Sequence, residues 1–320
     1  MARVNVGAAA VALAAGFLIV MTGGDTRAAD DYPCDSVEWI VGWGAGGGSD
    51  TFARSIAPGV SDALGVPVQV INMPGASSIV AMEEILSRPA DGCTLFSVTP
   101  DQITNELTGL TELSWQELTP VYRAHVDVGM LHAAADGEFD SWQGVVEWAG
   151  ANPGELLLGG TGAASFDEIV SDILMASADL EYRYIPYESA SDMHADLLGG
   201  RLHVIYDEIS VMAPMIEAEQ VRPLLVIAEE RLERYPDVPA AGELGYQVPP
   251  SLWRGAAVKQ GTPDDVVAML ETAFEEAAGT EKYQAFEEER LLNLYPGKLG
   301  AEAFAELFAR EYEMYQEVIE

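Results

Sequence analysis

Lysine is almost missing from this 320-residue chain: it stands only at positions 259, 282 and 298, and 16 basic residues face 52 acidic ones. A net charge of -36 repels polyanions, which excludes nucleic acid and anionic membrane surfaces as partners. Cysteine occurs twice, at Cys34 and Cys93, a spacing that fits neither a zinc ribbon nor a Cys-x-x-Cys redox motif. The histidines at 125, 132, 194 and 203 show no HExxH or comparable metal-ligand spacing. There is no Gly-x-Ser-x-Gly elbow and no Asp-x-Asp-x-Asp-Gly calcium loop. An exported enzyme would need an acid, a base or a metal set that these residues do not supply, so the chain reads as a non-enzyme without cofactor or metal. Past the N-terminal segment, no apolar run is long enough to cross a bilayer.

What is present begins with Met1-Ala2-Arg3, an apolar stretch from Val6 to Met21, and small residues up to Ala29. This is the charged, apolar and small-residue succession of a secretory signal, expected to span 1–28 with cleavage after Ala28. The predicted location is the periplasm. The acidic, lysine-poor surface suits concentrated salt, where a Debye length of about 3 Å at 1 M removes self-repulsion, and a halophilic or haloalkaliphilic source follows.

The mature chain reads as strands alternating with helices. Val37–Val41 runs into a glycine-rich turn and a helix marked by Phe52, Ile56, Val60 and Leu64; 66–71 and a helix over 79–86 repeat the unit, and Thr94–Val98 adds a third strand. The same grammar restarts after residue 134, with helices over 142–149, 166–177 and 192–198 and strands at 156–158, 182–185 and 202–206. Alternation of this kind gives a mostly parallel sheet flanked by helices. The expected fold is α/β, in two domains: 29–133 with 251–320, and 134–250. The apolar stretches 121–133 and 251–258 are the expected crossings between them.

In open α/β sheets ligands sit beyond the carboxyl ends of the strands, where helix N-termini offer free N–H groups and a positive dipole end. Gly46, Gly47 and Gly48 let the backbone approach a ligand, with Ser49 and Asp50 as expected N-caps. Residues 74–78 and 160–165 repeat the design, so two walls of a cleft are implied. Trp43 sits inside the glycine loop rather than on an apolar face. Tyr187, Ser189 and Ser191 lie between a strand and a helix, and Asp207 and Glu208 end a strand. Gly42-x-Gly44-x-x-Gly47 also matches the dinucleotide fingerprint. Asn72, however, follows the second strand where a ribose-binding acid is required, and no lysine follows the glycines to make a Walker A loop.

Taken together, these motifs resemble the periplasmic receptors of tripartite tricarboxylate transporters, also called Bug receptors. The resemblance covers nearly the whole mature chain. It rests on Tyr32-Pro33, Gly46 to Asp50 with Ala53-Arg54, Asn72 to Ala76, and Pro89 to Gly92. Further along it rests on Ile185 to Tyr187, Asp196 to Gly200, Pro236 to Pro239, Trp253 to Gly255, and Gly261 to Pro263. It implies a Venus-flytrap periplasmic-binding-protein fold joined by two crossing strands and closing on a carboxylated ligand: a di- or tricarboxylate, an acidic amino acid or an aromatic acid. The partners it implies are that small organic anion and the transporter's large and small membrane subunits, served by a monomeric receptor. In such receptors main-chain N–H groups of the first two loops, partly through water, hold one ligand carboxylate. Carried over by position, the site is Trp43, Gly44, Ala45, Gly46, Gly47, Gly48, Ser49, Ala76, Ser77 and Thr99 on one wall. The other wall is Thr161, Gly162, Ala163, Ala164, Ser165, Tyr187 and Asp207. Gly42 and Trp43 stand where Pro and Phe are common in the family, and Ser77-Ser78 where glycines are common. A ligand-presenting receptor for a membrane histidine kinase is the alternative, with an exported dinucleotide-binding enzyme behind it.

A disulfide between Cys34 and Cys93 is expected from topology. In a sheet of order 2-1-3 the first and third strands are neighbours, about 4.8 Å apart, and both cysteines immediately precede them. That spacing is within the Cα separation a disulfide tolerates.

Overall fold

The computed structural model describes residues 1–2 and 32–319. Apart from Met1 and Ala2, the expected signal segment lies outside the described residues.

Val37, Trp39, Ile40 and Val41 are each at most 1% exposed, as a strand covered on both faces requires. This strand, β1 (Val37–Val41), lies between two parallel neighbours, β2 (Val68–Asn72) and β3 (Thr94–Val98). Parallel neighbours need a crossover, and α1 (Gly48–Leu64) and α2 (Ile79–Ser87) supply it. Phe52, Ile56, Val60 and Leu64 form the buried stripe of α1, which ends at Gly65 in the left-handed conformation (φ 73°). After α3 (Asp101–Leu107) comes β4 (Leu118–Asp127), antiparallel to the late strand β10 (Leu252–Lys259), and the first sheet is completed by β11 (Leu299–Gly300). Its order is β11-β4-β10-β3-β1-β2.

The second sheet repeats the plan. Strand β5 (Gly129–Ala134) is followed by α4 (Trp142–Ala151), β6 (Leu156–Thr161), α5 (Phe166–Ser177), β7 (Tyr182–Tyr187), α6 (Ala190–Leu198), β8 (Val204–Glu208), α7 (Ile209–Glu217) and β9 (Val221–Val226). The order is β7-β6-β8-β5-β9, so β7-β6-β8 reproduces the parallel β2-β1-β3 arrangement. Only Val128 separates β4 in one sheet from β5 in the other. The chain returns at Leu252, which pairs with Asp127, so the two crossings lie side by side. Helices α8 (Asp264–Ala278), α9 (Glu281–Glu289) and α10 (Ala301–Ile319) finish the chain. Ring packing of α10 on β10, with Phe304 and Phe308 5.1 and 4.9 Å from Trp253, extends to Phe166 of α5 through Tyr315.

Several details depart from the sequence reading. Strand β8 ends two residues later than expected, so Asp207 and Glu208 are its last rungs, paired with Met130 and Gly129. Strand β9 escaped the reading because it holds Arg222 and Pro223; it is an edge strand, the position where a proline is tolerated. Of the stretch 251–258 expected as a crossing, residues 252–258 belong to β10 of the first sheet, so the chain has crossed by Leu252. Helix α1 begins at Gly48 with Gly47 as its N-cap. Ser49 and Asp50 therefore sit in its first turn and do not cap it.

Cys34 and Cys93 form the expected disulfide, with Cα atoms 5.6 Å apart. Glu38 N–H donates to the Cys93 carbonyl at 3.0 Å, so the bond lies at the N-terminal edge of adjacent β1 and β3, opposite the carboxyl-end loops.

Candidate functional site

A narrow cavity opens between the lobes at the carboxyl ends of the parallel strands. From the first lobe it is lined by Trp43, Gly44, Gly47, Gly48, Ser49 and Thr99, and from the second by Thr161 and Asp207. These are eight of the residues named from sequence. Ala45 and Gly46 are exposed on the outer bend of the glycine loop. Ala76, Ser77, Gly162, Ala163 and Ala164 stand apart from the lining; Ser77 meets the other lobe at Gly162 and Ala163, its hydroxyl donating to the Ala163 carbonyl at 2.8 Å. Tyr187 is turned away, its hydroxyl donating to Asp196 at 2.8 Å.

The first wall is braced from beneath. Asp50 accepts from Gly46 N–H at 2.9 Å and from Arg54 at 2.8 Å, and Asn72 donates to both Asp50 and the Trp43 carbonyl. Asn72 thus secures the glycine loop at the position where a dinucleotide fold would carry its ribose-binding acid. With Gly47 as N-cap, α1 has no side-chain cap, so the N–H groups of its first turn, Gly48 and Ser49, stay open to a ligand on the cavity wall. Gly48 also has a steric role: a Cβ there would lie 2.0 Å from an Arg254 nitrogen.

The family departures fit one another. Ala76, Ser77 and Ser78 all adopt left-handed φ values, 48°, 50° and 74°, a region that favours glycine. Ser78 occupies the space beside Gly42, where a Cβ would come within 1.9 Å of its hydroxyl. A serine at 78 therefore demands a residue without a side chain at 42.

The second wall closes on itself. Ser165 is fully buried as the N-cap of α5; its hydroxyl donates to the Thr161 and Gly162 carbonyls and accepts from Glu168 N–H. Ala164 N–H donates to Glu168, and the Thr161 N–H and hydroxyl both donate to Asp167 Oδ2.

Sequence reasoning missed most of the charge. Asp101, Asp167, Glu188 and Arg254 also line the cavity, with Ala190 and Leu252, beside Glu208, which the sequence had singled out with Asp207. Arg254 of β10 is 4% exposed and bridges the lobes, reaching Asp127 at 2.5 Å and Glu208 at 2.6 Å. Burial opposes its charge, but the neighbouring Glu208 and Asp127 carboxylates outweigh that and hold its pKa above the ordinary value. Asp101 accepts across the cleft from Phe166 N–H at 3.0 Å. Its carboxyl is raised, chiefly by burial. Asp167 is pushed up to about 8, first by burial and then by the charge of Asp101. Asp207 accepts from His194 at 2.6 Å and from the Glu208 N–H. The one grouping of potential metal ligands among the described residues, Cys34, Asp91 and Cys93, contains both disulfide sulfurs.

Two α/β lobes joined at adjacent crossings, with a polar cavity at the carboxyl ends of both sheets, define a two-lobed solute-binding receptor. The model of the tripartite tricarboxylate transporter family receptor, TctC, matches residues 52–319. The chain belongs to this family, whose members are solute-binding receptors rather than enzymes. A protein of the tcbD-tcbE intergenic region of Pseudomonas sp. (strain P51) is 29% identical over 314 residues, covering 95% of this chain and 92% of that one. A Rhodopseudomonas palustris protein solved with adipate superposes with a TM-score of 0.83 at 25% identity, over 90% of this chain and 97% of the other. MatC from Rhodopseudomonas palustris, solved with bound malate, gives a TM-score of 0.81 at 22% identity over 90% and 100% of the two chains. This fold is that of periplasmic binding proteins.

Proposed function

We propose that the protein is a periplasmic, monomeric receptor that captures a small carboxylate between its lobes, residues 29–133 with 251–320 and 134–250, and delivers it to the large and small membrane subunits of a tripartite transporter. The observation that carries this reading is the uncapped first turn of α1 on the cavity wall. Its N–H groups suit a carboxylate and its dipole favours one, with Gly44, Gly47, Gly48, Ser49 and Thr99 on one side and Thr161 and Asp207 on the other. The bound adipate and malate of the two Rhodopseudomonas palustris relatives accord with it. The local field of the helix terminus acts at contact distance, whereas the surface charge is screened in salt.

A thermal-shift screen in concentrated salt tests this, since ligand at 100 times its dissociation constant stabilises a protein by about 2.7 kcal/mol. Organic acids are expected to shift the melting temperature; a response to neutral sugars or inorganic cations alone would overturn the reading. Affinity is expected to fall as salt is lowered, consistent with a halophilic source, and a steady rise on dilution would contradict it.

A further inference from the structure

The cavity walls are of unequal sign. Asp101 and Asp167, from opposite lobes, are 3% and 7% exposed. Both oxygens of Asp101 have donors, Phe166 N–H and the Thr99 hydroxyl. Asp167 differs: the Thr161 N–H and hydroxyl both use Oδ2, and among the described residues Oδ1 has no hydrogen-bond partner. Among the described residues Arg254 is the only basic side chain on the wall, and its terminal nitrogens are committed to Asp127 and Glu208. Its Nε, also buried, has no acceptor among the described residues. Ionised together, two buried carboxyls with no free cation beside them are unfavourable, and Asp167 accordingly keeps its proton up to about pH 8; a bound cation would let it ionise, which a ligand carrying only negative charge would not. A metal ion does not answer it, because among the described residues these carboxylates form no three-ligand grouping.

We propose that the ligand is a small ammonium carboxylate, an amino-acid-like zwitterion whose carboxylate takes the N–H groups of α1 and whose ammonium sits against Asp167 Oδ1 beside Asp101. This rests on the carboxylate-receptor reading and narrows it. The two ends of the ligand meet opposite lobes, so binding joins an anion-receptive wall to a cation-receptive one and draws the lobes together. Acids of matching shape that lack the ammonium leave Asp101 and Asp167 without a cation partner and bind less tightly for it. Trp43 and Leu252 supply the apolar contact for a short side chain.

Calorimetry on the purified protein in concentrated salt tests this with matched pairs, L-alanine against propionate and L-aspartate against succinate, and with ethylamine. The ammonium-bearing member of a pair is expected to bind about 10- to 100-fold more tightly, the range of a charge-assisted contact. Asp167→Asn, checked for its fold by circular dichroism, should abolish that difference. Propionate or succinate binding as tightly as its amino-acid partner would overturn the inference and leave the carboxylate receptor standing. Binding by none of the four acids, or by ethylamine alone, would overturn the inference, while the wider organic-acid screen decides the carboxylate receptor separately. The wild-type pairs decide the matter even where Asp167→Asn does not fold.

Discussion

The β1–α1 and β6–α5 junctions occupy equivalent places in the two sheets, yet their helices begin in opposite ways. Helix α1 opens on Gly47 with no side-chain cap, and the acid of its first turn, Asp50, is engaged by Gly46, Arg54 and Asn72. Helix α5 opens on Ser165, whose hydroxyl caps it, while Asp167 and Glu168 tie up the preceding loop. One terminus keeps its donors for an anion; the other gives Glu168 N–H to its own Ser165 and Phe166 N–H to Asp101 of the facing lobe, and presents a carboxyl group. The same supersecondary unit can therefore offer either sign of charge, and the choice depends on two or three residues at the cap.

The contrast can be broken most severely at the link between the walls. Arg254→Leu leaves Asp127 and Glu208 buried without their cation, and about 3–5 kcal/mol of stability should be lost. Urea unfolding would show it, and an unchanged midpoint would mean that Arg254 does not hold the lobes. The lobes also differ in covalent support, because the disulfide staples only the first. Its loss in the Cys34→Ser, Cys93→Ser double variant should cost about 4 kcal/mol in the chain-entropy model, given a sequence separation of 59. Ligand affinity should be unaltered by calorimetry, since the bond is at the edge opposite the site.

Smaller effects should separate the junctions by pH and by hydroxyl. Asp167 in the folded protein holds its proton up to about pH 8, whereas an unfolded aspartate loses it near pH 3.9. The folded state thus binds more protons between those values, and this group's contribution to stability falls as pH rises through that window. The melting temperature of Asp167→Asn should decline less than that of the wild type from pH 4 to pH 8, and parallel curves would refute the assignment. Ser165→Ala should cost about 1 kcal/mol of stability, as the loss of a cap does, with a minor effect on affinity. Ser49→Ala should do the reverse: its hydroxyl has no protein partner among the described residues, so binding weakens by about 0.5–1.5 kcal/mol and the melting temperature holds. Equal behaviour of the two serine variants would erase the distinction.

Much of this architecture was legible because its signals are local. Val37–Val41, Thr94–Val98 and the helix over Phe166–Ser177 match their expected bounds, each set by apolar periodicity against glycine or serine punctuation. The disulfide followed from strand order. Charge in the cavity was not legible in the same way. Asp101 follows a Thr-Pro pair and reads as an ordinary helix start; its partner Phe166 is 65 residues away. Arg254 sits in an apolar strand and meets Asp127 across 127 residues, a pairing that no local pattern announces. Ser165 was legible as a loop-to-helix serine, but whether such a hydroxyl faces inward to its own loop or outward to a ligand depends on a turn of φ and ψ that composition does not encode.

The single residue between β4 and β5 has a mechanical meaning. With Val128 as the sole link and the returning chain at Leu252 alongside Asp127, any swing of one lobe would be a rotation about a short axle, with travel growing with distance from it. Glu208 is paired in register with Gly129, next to that axle, so the grip of Arg254 on Asp127 and Glu208 would shift least. The ion pairs of Arg254 thus stand where the two lobes are joined most closely.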